Sequence, residues 1–132
     1  MHRGDLSLPR LGLSESEFTN LPRRVTLIIY NGADVSLLKS YHSLRNTNVR
    51  STRELVRLAA PRQVPVHYLS TGGMAHLLAH DAEPLSEVLL GDFPPPVVNP
   101  HGYISTKWPS ERFLEKSAEK YGIWVLMYWY YR

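Results

Sequence analysis

Three short apolar runs set the limits on what this chain can fold into: RVTLIIY (24–30), VPVHYLS (64–70) and IWVLMYWYY (123–131). Their length and their content of β-branched and aromatic side chains suit buried strands. Between the first two, residues 43–60 place Leu44, Asn48, Thr52, Leu55 and Ala59 on one helical face, and Pro61 ends the pattern. After the second run, the glycines of TGG (71–73) open a loop over 74–100, stiffest at Pro94, Pro95 and Pro96. A helical segment follows, with Leu114, Ala118 and Tyr121 at helical spacing and Gly122 placed as a C-terminal stop. Strands joined by helical crossovers pair in parallel, so the order strand, helix, strand, loop, helix, strand predicts an α/β fold: a parallel sheet with flanking helices.

A chain of 132 residues, 43% of them hydrophobic, is enough for one modest core, so residues 1–132 are read as a single domain. The net charge of +3 comes from bases scattered along the chain, among them Arg3, Arg23, Arg24, Arg45, Arg50, Arg53 and Arg57. Such scatter lacks the dense basic block of a nucleic-acid binder, and none is expected as a partner. Cysteine is absent, which excludes disulfides, thiolate metal sites and cysteine nucleophiles. No apolar run reaches the length of a membrane span; a soluble, cytoplasmic protein is expected. His76 and His80 have metal-like spacing, but no third ligand is evident and no metal site is expected.

The segment HGYISTKWPSERF (101–113) holds Tyr103 and Lys107 four positions apart. On a helix such a pair shares one face. A phenol is a poor acid at neutral pH unless a nearby cation stabilises its phenolate, which a lysine does. The tyrosine can then donate a proton to a carbonyl oxygen while a hydroxyl from a neighbouring strand end holds that oxygen. STGG (70–73) offers Ser70 and Thr71 at the carboxyl end of a parallel strand, where ligands bind in open α/β sheets. By itself the spacing is common, and two surface residues on an amphipathic helix would match it equally.

The order of the blocks YNGADVS, NTNVRST, HYLSTGG and GYISTKWPSE resembles that of the extended short-chain dehydrogenase/reductase superfamily. In wording, GDLSLPRLGLSESEF, NGADVSLLKSY and GYISTKWPSERFLEK resemble the terminal thioester reductase domain of fungal polyketide synthase/nonribosomal peptide synthetase hybrids, over roughly residues 4–122. That resemblance implies a Rossmann-like fold, NADP(H) as cofactor, and reductive release of an acyl or peptidyl thioester carried on a carrier protein. Some relatives release product by Dieckmann cyclisation instead. It also implies Tyr103 as proton donor, Lys107 as its activator and a ribose contact, and Thr71, with Ser70 as second choice, as the hydroxyl of the triad. Asp5 would face the adenine end of the cofactor, Gly32 and Ala33 would line its path, and Asn48 would brace the central helix near the site.

Departures from the family pattern shape the remaining expectations. No G-x-x-G-x-x-G occurs, and such a glycine-rich turn before a helix is what holds the pyrophosphate. The expected fold is therefore a partial Rossmann-like sheet lacking the first half of the dinucleotide-binding fold, truncated at both ends, without ordinary NADPH affinity on its own. Whether it is an enzyme is left open; the alternative is a non-catalytic interaction module or half-domain acting with a biosynthetic synthetase. Pro109 would either interrupt the catalytic helix, at about 3 kcal/mol, or mark the first turn of a later one, separating Tyr103 from Lys107. RVTLIIY, expected beside the first strand of a 3-2-1-4-5-6 sheet, would be an open edge prone to self-association. Charge at Leu27 or Ile29 is expected to unfold the chain, and charge at Tyr130 to improve solubility.

Overall fold

The computed structural model describes residues 3–74, 89–95 and 101–130. Its strands β1 (Ile28–Tyr30), β2 (Val66–Leu69) and β3 (Val125–Tyr128) form one sheet in the order β1-β2-β3. Both pairings are parallel, with Ile28 opposite Val66 and Val66 opposite Val125. The runs read from the sequence are thus strands, each shorter at its ends than the apolar stretch. Backbone bonds continue the β2–β3 alignment past the strand end, where the Ser70 and Gly72 amides donate to the carbonyls of Tyr128 and Tyr130, at 2.8 Å each.

One face of the sheet carries the core. Ile28, Tyr30, Val66 and Tyr68 are buried there, with Val125 and Met127 packed beside them, against Phe18, Val56, Ala59 and Leu114 from the helices. The alternate residues point away: Ile29 is 65% exposed, Trp124 77% and Tyr130 66%. This corrects the expectation of fully buried strands, since the period-2 alternation puts only half of each run in the core. It also corrects the expected effect of charge at Leu27 and Ile29, because both side chains are exposed. Among the described residues β1 is an edge paired only with β2. Leu6 and Leu11 of the N-terminal segment pack against the core without covering Ile29.

Helix α1 (Glu15–Asn20) opens with a capping box: Ser14 accepts from the Glu17 amide and the Glu17 side chain accepts from the Ser14 amide. The long helix expected over 43–60 is present as α2 (Tyr41–Arg45), a π-helical turn (Asn46–Arg50) and α3 (Ser51–Ala59) without a break. Leu44, Asn48, Thr52 and Ala59 of the expected face are all buried. The π turn is new information. Its wider ring disturbs the regular i to i−4 bonding, and hydroxyls occupy the carbonyls there: the Asn48 carbonyl accepts from Thr52 Oγ1 at 2.9 Å and from Ser110 Oγ at 3.1 Å, and the Thr47 carbonyl accepts from Ser51 Oγ.

Helix α4 (Gly102–Tyr121) runs through Pro109. The later helix start allowed for in the sequence is therefore excluded, and Tyr103 and Lys107 lie one turn apart on one helix. Gly122, at φ 66°, ends it, its amide donating to the Ala118 carbonyl at 2.9 Å. Gln63 joins the two helix ends by donating from Nε2 to the Tyr121 carbonyl. At its other end α4 abuts the start of α2 so closely that a Cβ on Gly102 would lie 2.3 Å from the Lys39 carbonyl oxygen.

Candidate active site

The carboxyl end of β2 and the first three turns of α4 face each other, and the buried polar side chains of Ser70, Lys107 and Glu111 meet there. Lys107 is 3% exposed. Its Nζ donates to the Leu69 carbonyl at 2.9 Å and lies over the Tyr68 ring, 4.6 Å from the centroid, and over the Tyr103 ring, 5.5 Å from the centroid. Burial pulls the ammonium down to about 8, and the Glu111 carboxylate acts in the opposite direction.

Tyr103 is half-buried, and its phenol is pushed up from the ordinary value of 10, first by burial and then by the Glu111 charge. This differs from the depressed phenol expected beside a lysine. The amine stands over the ring face and spends a hydrogen bond on Leu69, so desolvation dominates. A phenol held in this way keeps its proton throughout the neutral range.

Ser70 and Thr71 face different surroundings. Ser70 is 7% exposed and its hydroxyl donates to Glu111 Oε1. Thr71 is partly exposed, and its Oγ1 accepts from the Gly73 amide at 3.2 Å in a tight turn. A Cβ on Gly73 would lie 3.0 Å from Ile104, so this turn packs directly on the first turn of α4 beside Tyr103.

Asn48, 2% exposed, ties three segments together. Its Oδ1 accepts from the Asp34 amide at 2.8 Å, while its Nδ2 donates to the Asp34 carbonyl at 2.9 Å and to Thr106 Oγ1 at 3.0 Å. The NGAD loop that carries Gly32 and Ala33 is thereby fastened to α4. Gly32 itself is packed by Leu6, whose Cδ1 would lie 2.6 Å from an added Cβ. Asp5 is exposed, and its carboxylate accepts from the Ser7 amide and hydroxyl. The structure thus brings Tyr103, Lys107, Ser70 and Thr71 to one strand end, ties Asn48 to Thr106 of α4 and to Asp34, puts Gly32 and Ala33 at the end of the next strand, and shows no contact from Asp5 to the central group.

One residue escaped the sequence reading. Glu111, 1% exposed, receives the Ser70 hydroxyl and, at 3.0 Å, the Trp129 indole N–H on Oε2. Burial pushes its carboxyl up from 4.5. Its position four residues after Lys107 and eight after Tyr103 repeats the same helical face, which is the signal that could have found it.

His76 and His80 lie outside the described residues; among those described, no group of three potential ligands could hold a metal ion. No described helix is long and apolar enough to cross a membrane.

Comparison with known proteins gives consistent matches. Residues 1–128 match the NAD-binding family described as male sterility protein. The chain is 51% identical over 124 residues to fusarin C synthetase of Gibberella fujikuroi, covering 92% of this chain and 3% of the synthetase. It is 46% identical over 127 residues to the polyketide synthase-nonribosomal peptide synthetase ffsA of Aspergillus flavipes, covering 95% and 3%. Among solved structures it matches the terminal R domain from the myxalamid PKS-NRPS biosynthetic pathway, with TM-score 0.76 and 36% identity over 96% of this chain and 31% of that one. The chain therefore spans about 3% of the length of the curated relatives and under a third of the solved domain.

Proposed function

This chain belongs to the NAD-binding family described as male sterility protein, and from that membership we propose that it is the catalytic segment of an NADPH-dependent thioester reductase. Its role would be reductive release of an acyl or peptidyl thioester from a carrier protein in secondary-metabolite assembly. The observation that carries this reading is the placement of Tyr103 and Lys107 on one face of α4, with the Lys107 amine on the Leu69 carbonyl beside the Ser70–Thr71 turn.

The residues present fit the reacting end of a nicotinamide cofactor. Lys107 has three N–H donors and the Leu69 carbonyl occupies one, which leaves donors for sugar hydroxyls. Gly32 and Ala33 lie at the next strand end, where ligands of open α/β sheets bind. Bound there, NADPH would supply hydride to the thioester carbon; the resulting hemithioacetal then gives aldehyde as its C–S bond breaks and its hydroxyl proton passes to the departing carrier thiol. Tyr103, held protonated by its surroundings, donates to the thioester carbonyl oxygen as charge develops on it. Thr71, which is partly exposed, donates a hydrogen bond to the same oxygen, whereas the Ser70 hydroxyl is committed to Glu111. Asn48 keeps the NGAD loop and α4 in register, so that cofactor and proton donor meet.

A second reading rests on the bare sheet face, where Ile29, Trp124 and Tyr130 are exposed on parallel strands of a type ordinarily covered on both sides. It makes the chain a non-catalytic module that docks on a biosynthetic synthetase. Titration with NADPH, followed by nicotinamide fluorescence, separates the two. The catalytic reading expects saturable binding when a glycine-rich dinucleotide-binding segment from a reductase relative is supplied, together with aldehyde or alcohol from an acyl-pantetheine thioester. Absence of cofactor binding in a soluble, folded pairing of the two would overturn it in favour of the docking module.

A further inference from the structure

The geometry points to Glu111 as a positioning residue, one that keeps the Lys107 ammonium charged in its buried place and pins the turn presenting Thr71 through the Ser70 hydroxyl. This inference rests on the reading of Tyr103 and Lys107 as a proton-donor pair.

Four observations converge on it. Glu111 is 1% exposed, and a carboxylate in that setting is kept only where its oxygens are occupied. Ser70 Oγ donates to one oxygen and Trp129 Nε1 to the other. Lys107, one turn earlier on α4, is 3% exposed, and Glu111 is the charge that offsets its desolvation. Finally, the neighbouring acid is accounted for: Glu115 accepts from Arg112 and from the Leu90 amide, at 2.5 Å each, which leaves Glu111 as the counter-charge for the lysine.

The groups that face the pair are these. From β2 come Tyr68, under the amine, and the Leu69 carbonyl. From α4 come Tyr103 and Glu115, from the segment after β3 comes Trp129, and Tyr30 of β1 reaches Tyr68 at 5.4 Å between ring centroids. The tyrosines keep their protons through the range of interest, so the charge on Lys107 answers to Glu111. Without the carboxylate the amine would lose its proton nearer neutrality, and the Ser70 hydroxyl would lose its acceptor one residue from Thr71.

The test is a titration of Lys107 by carbon-13 NMR in lysine-labelled protein, its resonance assigned with Lys107→Arg. The chain has four lysines, which makes the assignment tractable. In Glu111→Gln the amine should titrate lower by about one pH unit or more. Equal titration in the folded Gln variant would overturn the proposal, because the amide keeps the side-chain shape and removes the charge, together with one of the two acceptor oxygens that Ser70 and Trp129 use. If Glu111→Gln does not fold, the reciprocal experiment decides: Lys107→Met should raise the Glu111 carboxyl titration by a comparable amount, and an unmoved Glu111 would overturn the proposal. Neither outcome depends on cofactor binding, so failure here is distinct from failure of the reductase reading.

Discussion

Lys107 donates from Nζ to the carbonyl of Leu69 at 2.9 Å, tying the middle of α4 to the last residue of the central strand. The amine is 3% exposed and is pulled down from 10.5 to about 8 by burial. Between those two values the unfolded chain binds the proton that the native lysine has released. Stability from this group therefore rises with pH across roughly 8 to 10.5. Compared with Lys107→Met, the wild-type protein should gain stability between pH 8 and 10, read by urea unfolding at each pH. Above 10 the trend reverses in both proteins, since burial raises Tyr30 and Tyr68 and the unfolded chain then binds fewer protons.

Replacing Asn48 by Ala should cost about 2–3 kcal/mol in urea unfolding. The side chain makes three hydrogen bonds, and its loss strands the Asp34 amide and carbonyl, while Thr106 Oγ1 keeps its donation to the Tyr103 carbonyl. Asn48→Asp should also be destabilising, because it removes the two Nδ2 donations. A loss below about 0.5 kcal/mol in Asn48→Ala would mean that water replaces the side chain without strain.

Gly102→Ala should destabilise by about 1–3 kcal/mol, although alanine is the better helix former. A Cβ there meets backbone atoms of Lys39, Ser40 and Tyr41 at 2.3–2.6 Å, so α4 would have to move off the start of α2. Thermal unfolding checks the sign, and a stabilised variant would show that the two helix ends separate freely.

Pro109→Ala should stabilise by about 1–2 kcal/mol. It restores the N–H that the Ser105 carbonyl lacks in α4, and that gain exceeds the entropy regained by the unfolded chain. Chemical denaturation tests this, and an unchanged or lowered midpoint would indicate that the proline ring packs too well to replace.

The exposed sheet face should drive self-association. Sedimentation velocity of the purified chain should show an average mass that rises with concentration, and Ile29→Lys or Trp124→Lys should suppress the rise while leaving a folded protein, since these side chains are 65% and 77% exposed. A monomer at all concentrations, unaffected by either change, would contradict this.

The element order was legible because it depends on local patterning: β-branched runs, a helical face at Leu44, Asn48, Thr52 and Ala59, and glycine at position 122. Membership of the reductase lineage was legible in the consecutive blocks around Tyr103 and Asn48. What could not be read depends on tertiary context. An apolar run does not say whether one face or two are covered, so Ile29 and Trp124 were misjudged. The π turn at Asn46–Arg50 needs hydroxyls from Thr52 and from Ser110, which lies far along the chain, before it becomes favourable. For Pro109 the sequence left open a costly place inside one helix or the first turn of a later one; the helix runs through it, so packing around α4 outweighs the lost bond. Glu111 shares the helical face of Tyr103 and Lys107, but its burial depends on partners distant in sequence: Ser70, 41 residues earlier, and Trp129, 18 residues later.

The reductase account is tested most directly by comparing the wild-type chain with Tyr103→Phe, each paired with a glycine-rich dinucleotide-binding segment, for NADPH affinity and for turnover of an acyl-pantetheine thioester. The account predicts that Tyr103→Phe lowers turnover by about 10²-fold or more, since only the proton donor is removed, while the dissociation constant for NADPH stays within about two-fold. Equal turnover by the two proteins would contradict it, and would assign the position of Tyr103 over Lys107 to packing alone.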